Sequence, residues 1–169
     1  MFALMSKHAV TLRALHPDDM AFIERLYAGS RAEEMAHSGW PAEQIAAFLS
    51  QQFNAQHNYY QAHYADGELL IIELEGRPIG RLYMFWGPTT LNVIDITLLS
   101  EFQGRGIGSA LIETQLRRAD EQGLRVELFV ESYNPAQRLY GRLGFYVCGD
   151  SGVYLKLRRD ARTDSRNVS

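Results

Sequence analysis

A single cysteine, Cys148, stands in a chain of 169 residues, so an internal disulfide framework is excluded and a reducing compartment fits. No uncharged apolar run reaches about 18 residues, which removes a helical membrane span. The opening MFALMSKHAV is interrupted by Lys7 and His8 before it reaches the apolar length of a signal peptide. Charge of one sign is also scarce: 17 Lys and Arg against 20 Asp and Glu leave a formal net charge of −3, which argues against a general nucleic-acid surface. Five histidines show no H-E-x-x-H or comparable ligand spacing, so no metal is expected. Repeats and low-complexity segments are lacking. These absences predict a soluble, cytoplasmic protein whose partners are neither membrane nor nucleic acid.

What is present is ordinary globular composition, 46% hydrophobic and 22% charged, at a length suited to one compact domain. Val10, Leu12 and Ala14 alternate as in a strand. Asp18 or Asp19 then serves as N-cap to a helix carrying Met20, Ile23, Leu26 and Tyr27; residues 30–40 carry no clear period, and a separate short helix ending near Gly39 is one reading of them, not counted in the element order. Pro41 suits a first helical position, with Ile45, Phe48, Leu49 and Phe53 on one face. Residues 68–87 read as two strands joined at Glu75-Gly76-Arg77, and TTLNVIDITLL as a third, central one. A helix follows until Gly123, then the strand LRVELFVES and a short helix with Asn134 as N-cap and Pro135 in its first turn. A closing hairpin runs through Gly149–Gly152. The predicted order is β-α-α-β-β-β-α-β-α-β-β, one mixed α/β domain over residues 1–158, with 159–169 a polar tail expected to be disordered.

The chemistry concentrates in SEFQGRGIGSALIE, residues 100–113. A strand, a glycine-rich turn and a helix start together make an anion site. The first N–H groups of the helix lack partners, its dipole favours negative charge, and missing side chains admit a ligand to the backbone. A phosphate or pyrophosphate is the natural occupant. Neither common phosphate loop fits. No Gly-Lys pair exists for G-x-x-x-x-G-K-[ST], and Ser109 stands where G-x-G-x-x-G needs its third glycine.

The spacing that does fit is Gln103-Gly104-Arg105-Gly106-Ile107-Gly108, a Q-x-x-G-x-G pattern. It resembles the acetyl-CoA loop of the GNAT superfamily of N-acetyltransferases. NPAQRLYGRLGF, about thirty residues on, resembles that family's second signature, with Asn134, Tyr140 and the Gly144-Phe145 pair in place. The element order agrees over roughly residues 9–158. Glycines at a strand-to-helix turn also serve tight packing alone; two motifs at family spacing favour the family reading.

The resemblance implies a GNAT fold, a central mixed and mostly antiparallel sheet splayed between strands 4 and 5 and flanked by helices. It implies an enzyme, an acyltransferase that binds acetyl-CoA and passes its acetyl group to a primary amine by direct attack on the thioester. By family position, Gln103, Gly104, Arg105, Gly106, Ile107, Gly108 and Ser109 hold the CoA pyrophosphate. Arg105 adds charge there or is a solvated surface cation. Ile96 and Leu98 lie on the strand that pairs with the pantetheine arm, and the Leu98 N–H becomes the oxyanion donor. Asn134 helps hold that arm or caps its helix. Tyr140 protonates the departing thiolate or packs between Leu139 and Leu143. The family's strand glutamate corresponds here to Asn92, which cannot accept a proton. Asp95 is the nearest carboxylate, either a base or a strand residue in a polar pocket; Glu33, Glu34 and His37 are weaker candidates.

The acceptor, a small-molecule or protein amine, is not specified. Trp40, Tyr59, Tyr60, Tyr64, Tyr83, Phe85 and Trp86 fall in regions that line an acceptor pocket or fill a core. Cys148 reads as a packed strand residue. The competing reading is a CoA-binding sensor or scaffold without turnover. An enzyme that acetylates charged tRNA would want a basic surface that the composition lacks. A homodimer through the C-terminal strands would use their open edge.

Overall fold

Local chain chemistry explains where the elements start. His16 opens a 3-10 turn at Pro17–Asp19, its imidazole accepting from the Asp18 N–H while the Asp19 carboxylate accepts from the His16 N–H. Asp19 is thereby turned inward against Arg13, which donates to its two oxygens at 2.8 Å each. Neither Asp18 nor Asp19 caps the following helix with its side chain, because Asp19 is already committed.

The computed structural model describes residues 9–163. Strand β1 is Val10–Ala14; helices α1 and α2 are Met20–Ala36 and Ala42–His63. Helix α1 takes in residues 30–36 of the segment without a clear period, since Met35 continues the face of Ile23, Leu26 and Tyr27. Pro41 caps α2 rather than filling its first position. In α2, Leu49, Phe53 and His57 repeat at four-residue steps along the buried stripe. Strands β2, Glu68–Leu74, and β3, Arg77–Trp86, are joined at Glu75-Gly76. Both of these residues have positive φ, 52° and 82°, as a type I′ hairpin requires. Strand β4 is Thr90–Leu98, and a 3-10 turn at Ser100–Phe102 leads to α3, Ile107–Glu121. Strand β5 is Arg125–Glu131, α4 is Gln137–Arg142, and β6 and β7 are Tyr146–Asp150 and Tyr154–Arg159.

The strands hydrogen-bond in the order β1-β2-β3-β4-β5-β7-β6. β4 and β5 are parallel, joined through α3, whereas β1–β2, β5–β7 and β7–β6 are antiparallel. The β4–β5 ladder runs from Thr90↔Arg125 to Val93↔Leu128, while β4 itself continues to Leu98.

Chain contacts group into two compact units. One reaches to Tyr83 and adds Asp95–Arg105; the other holds Met84–Ile94 and the chain from Gly106. The first has a core of Ile23, Tyr27, Met35, Leu49, Phe53 and Ile71 between α1, α2 and β2. In the second, Val126, Leu128 and Val130 alternate inward along β5, and Ile112, Leu116 and Ala119 are the buried face of α3.

Two expectations change within the second unit. Cys148 is exposed rather than packed: the β6–β7 register slips between Val147 and Gly149, so Cys148 sits in a bulge. Arg159, read as the first tail residue, ends β7 and is buried. Its guanidinium holds Asp120 and the Leu143 carbonyl, and Arg162 donates its N–H to Asp120. Residues 164–169 of the expected tail lie outside the described residues.

Candidate active site

The end of β4 is held on three sides. The Leu99 N–H donates to the Ile79 carbonyl of β3 at 2.8 Å. Across the trans peptide that joins the two residues, the Leu98 carbonyl points opposite to the Leu99 N–H and so away from β3, and Leu98 lies within the extended strand β4, where a residue's N–H and C=O face the same edge. The Leu98 N–H therefore points away from β3. The Leu98 carbonyl accepts from the Gln103 side-chain amide at 3.0 Å. Gly80 of β3 makes this arrangement possible. A Cβ there would run into the Thr97 carbonyl oxygen and lie 2.9 Å from Leu98 Cδ2 and 3.1 Å from Leu98 Cα. Ile96 lies half-buried on the same strand.

Gln103 ends the 3-10 turn in an extended conformation, and the chain then passes Gly104 at φ 74° and Gly106 at φ 80°. Left-handed φ at both positions is the physical reason for these two glycines. Arg105, between them, is exposed and lies over the Phe102 ring at 5.2 Å. Gly106 is the N-cap of α3 and no side chain caps it. Its carbonyl accepts the Ala110 N–H, which leaves the first-turn N–H groups of Ile107, Gly108 and Ser109 without helical partners. Such an uncapped start suits the pyrophosphate of a CoA-type ligand.

The second motif lies in the second unit. Asn134 Oδ1 accepts the Ala136 N–H at 2.8 Å, and its Nδ2 donates to Glu131 Oε2 at 3.1 Å. Asn134 thus organises the turn before α4, although the helix begins three residues later than the cap position first assigned. Tyr140, on α4, is buried and packs edge-on against Phe145 with ring centroids 5.5 Å apart. Gly144 ends this helix at φ 98°.

Asp95 occupies a polar cluster in the first unit. Arg81, 3% exposed, donates through Nε to Asp95 Oδ2 at 2.7 Å, and its Nη2 lies 2.6 Å from the same oxygen. Thr97 Oγ1 donates to Asp95 Oδ1 at 2.8 Å, and Gln56 of α2 accepts from Arg81 Nη2 at 3.0 Å. Both oxygens of Asp95 are thus already acceptors, an arrangement that suits the polar-pocket alternative. Tyr83 lies under the guanidinium at 4.9 Å, and Tyr60 packs on Tyr83 with centroids 5.8 Å apart. Burial pushes both phenols above their ordinary value, so they stay protonated at neutral pH. Of the other aromatics, Trp40 and Tyr59 are exposed, whereas Tyr64, Phe85 and Trp86 are half-buried. Asn92 is half-buried, in register with Glu127. Glu33 is exposed, Glu34 pairs with Arg31, and the His37 ring meets the Glu33 carbonyl at the end of α1.

The sequence pattern of the Acetyltransferase (GNAT) family matches residues 30–145, which include the glycine turn and the Asn134–Tyr140 segment. The chain belongs to the GNAT family. Mycothiol acetyltransferase of Corynebacterium aurimucosum is 37% identical over 71 residues, 41% of this chain and 23% of that protein. The chain therefore matches about a quarter of the length of this curated relative. The PaiA N-acetyltransferase of Thermoplasma acidophilum, solved with coenzyme A, shares the fold with a TM-score of 0.68 at 15% identity, over 89% of this chain and 98% of that one. An acetyltransferase of Thermus thermophilus gives 0.63 at 19% identity, over 90% and 97%.

Within this GNAT chain, Asp95, Ile96, Leu98, Gln103, Gly104 and Arg105 belong to the first unit. Gly106, Ile107, Gly108, Ser109, Asn134 and Tyr140 belong to the second. The structure adds two residues that motif reading missed, Gly80 and Arg81, and gives the side chain of Gln103 a contact with the Leu98 carbonyl. Glycine and arginine inside the otherwise apolar strand PIGRLYMF were the available signal, since each is costly in a buried strand without a specific reason.

Proposed function

We propose that this chain is an acetyl-CoA-dependent N-acetyltransferase acting on a primary amine. The uncapped start of α3 behind Gly106 carries the reading. It offers backbone donors and a helix dipole to a pyrophosphate, and Gly104 has nothing within 4 Å of where a Cβ would stand. The Leu98 N–H, facing away from β3, donates to the thioester carbonyl oxygen and holds the negative charge that develops as the amine attacks. Attack forms the amide C–N bond and breaks the C–S bond. Tyr140 gives its proton to the leaving thiolate, and the amine loses one to solvent or a carboxylate. Asn134 steadies the pantetheine arm from the turn it organises.

The test is thermal unfolding with and without acetyl-CoA, beside Gly106→Trp. At a hundred times Kd, the ligand should add about 2.7 kcal/mol, a rise of roughly 5–11 °C for this chain length. A rise in the parent that the variant lacks supports the site and justifies an amine panel; no rise at millimolar acetyl-CoA with folded protein rejects it. Binding without turnover of any amine would favour the sensor or scaffold reading.

A further inference from the structure

We propose that Arg81 is a positioning residue for acetyl transfer, acting through Asp95 and Thr97 to fix the direction of the Leu98 N–H; this rests on the acetyltransferase reading above. The guanidinium ties three segments together. It is built into β3, donates to Gln56 Oε1 of α2, and donates to Asp95 of β4, whose other oxygen accepts from the Thr97 hydroxyl. All of these groups lie in the first unit, as does Leu98.

Stability alone does not account for this pair. Taking a cation and a carboxylate out of water costs several kcal/mol per ion, and apolar residues of similar volume are often as stable or more so. What an arginine pair supplies and an apolar pair does not is direction, because the planar fork fixes the angle of its partner. The surroundings of Leu98 show where such direction matters. Thr97 is held through its hydroxyl by Asp95, and its carbonyl closes over Gly80. Leu99 is held by Ile79, and the Leu98 carbonyl by Gln103. The backbone groups on either side of the Leu98 N–H are therefore tethered, and that N–H is aimed away from β3. An oxyanion donor is useful only when it is preorganised in this manner.

The pair also argues for a different role for Asp95 from that of base. A carboxylate that already accepts from Arg81 and Thr97 is placed to hold backbone, and its removal should disturb the oxyanion donor rather than a proton transfer.

The experiment uses the full chain, with [1-13C]acetyl-CoA as probe and isotope-edited infrared of the thioester carbonyl as readout. The double variant Arg81→Met with Asp95→Leu removes the charges together. Thr97→Val and Arg81→Lys are milder and keep the fold even if the double variant does not. We expect the carbonyl band, shifted from its position in water in the parent, to move back toward that position in each folded variant. Affinity for acetyl-CoA should stay within about threefold, and kcat toward any amine that the parent acetylates should fall by about ten- to a hundredfold. Arg81→Lys should retain part of the shift. A band unchanged in the folded variants overturns the inference, since a purely structural strut would leave it in place. A parent that fails to bind acetyl-CoA overturns the acetyltransferase reading and this inference with it; a parent that binds with variants unchanged overturns this inference alone.

Discussion

Gln103 donates its side-chain amide to the Leu98 carbonyl at 3.0 Å, tying the first residue of the glycine turn to the last residue of β4. Gln103→Glu keeps the shape and sets an acceptor against that carbonyl. The side chain is exposed, so stability should change by less than about 1 kcal/mol. Turnover should fall by about tenfold for each 1.4 kcal/mol of transition-state stabilisation lost. Melting curves beside steady-state kinetics separate the two; an unchanged kcat would remove Gln103 from the site's support.

Asp120 predicts an acid response in the second unit. Arg159 grips it with two bonds at 2.9 and 3.0 Å, and the Arg162 N–H adds one at 2.8 Å. Burial alone would raise this carboxyl, but these donors outweigh it and hold it below its ordinary 3.8. With the folded pKa below the unfolded one, the unfolded chain takes up the proton first on acidification. The contribution is full above about pH 4 and is lost as pH falls through the folded value. Asp120→Asn leaves Arg159 buried beside a neutral partner and should cost about 3 kcal/mol at neutral pH. Its Tm should then fall less steeply below about pH 4; parallel acid profiles for parent and variant would contradict the assignment.

His57 should respond in a milder range. It is buried on α2, stacked on Phe53 at 5.9 Å, and its Nδ1 has no hydrogen-bond partner among the described residues. Burial first, and the Arg81 charge second, hold its pKa below the ordinary 6.5. The unfolded imidazole protonates before the folded one, so the contribution is full above about pH 6.5 and falls as pH drops below it. His57→Phe keeps the stack and removes the unpaired nitrogen. Stability at neutral pH should hold or rise by about 1 kcal/mol, and the loss of Tm between roughly pH 6.5 and 5 should shrink. A variant that is less stable at pH 8 would show that the nitrogen has a partner in solution.

Glu75 offers a stabilising change at a residue that has no part in the site. It holds φ 52° beside Gly76 at φ 82° in the β2–β3 hairpin, a conformation that asparagine tolerates far better than glutamate. Glu75→Asn should raise stability by roughly 0.5–1 kcal/mol, or about 1–4 °C in Tm. Acetyl-CoA binding should be unaltered; a lower Tm in chemical and thermal melts would refute the turn assignment.

The order of strands and helices was legible because each element carries its own period. Val126, Leu128 and Val130 alternate, Leu49, Phe53 and His57 repeat at helical spacing, and Gly104 and Gly106 mark a turn that only a left-handed backbone can make. The family pattern was legible for the same reason: its loop and its Asn134–Tyr140 segment are each short and continuous in the chain. Other features depend on residues far apart in sequence. Gly80 is explained by the Thr97 carbonyl, Asp19 by Arg13, Asp95 by Arg81 and Gln56, and Arg159 by Asp120. Local periodicity carries no record of such pairings, because they come into being only when strands and helices pack. The sequence alone thus determined the elements and the loop that can meet a pyrophosphate; the tertiary structure decided which polar side chains are buried together, and hence what holds the Leu98 N–H in its direction.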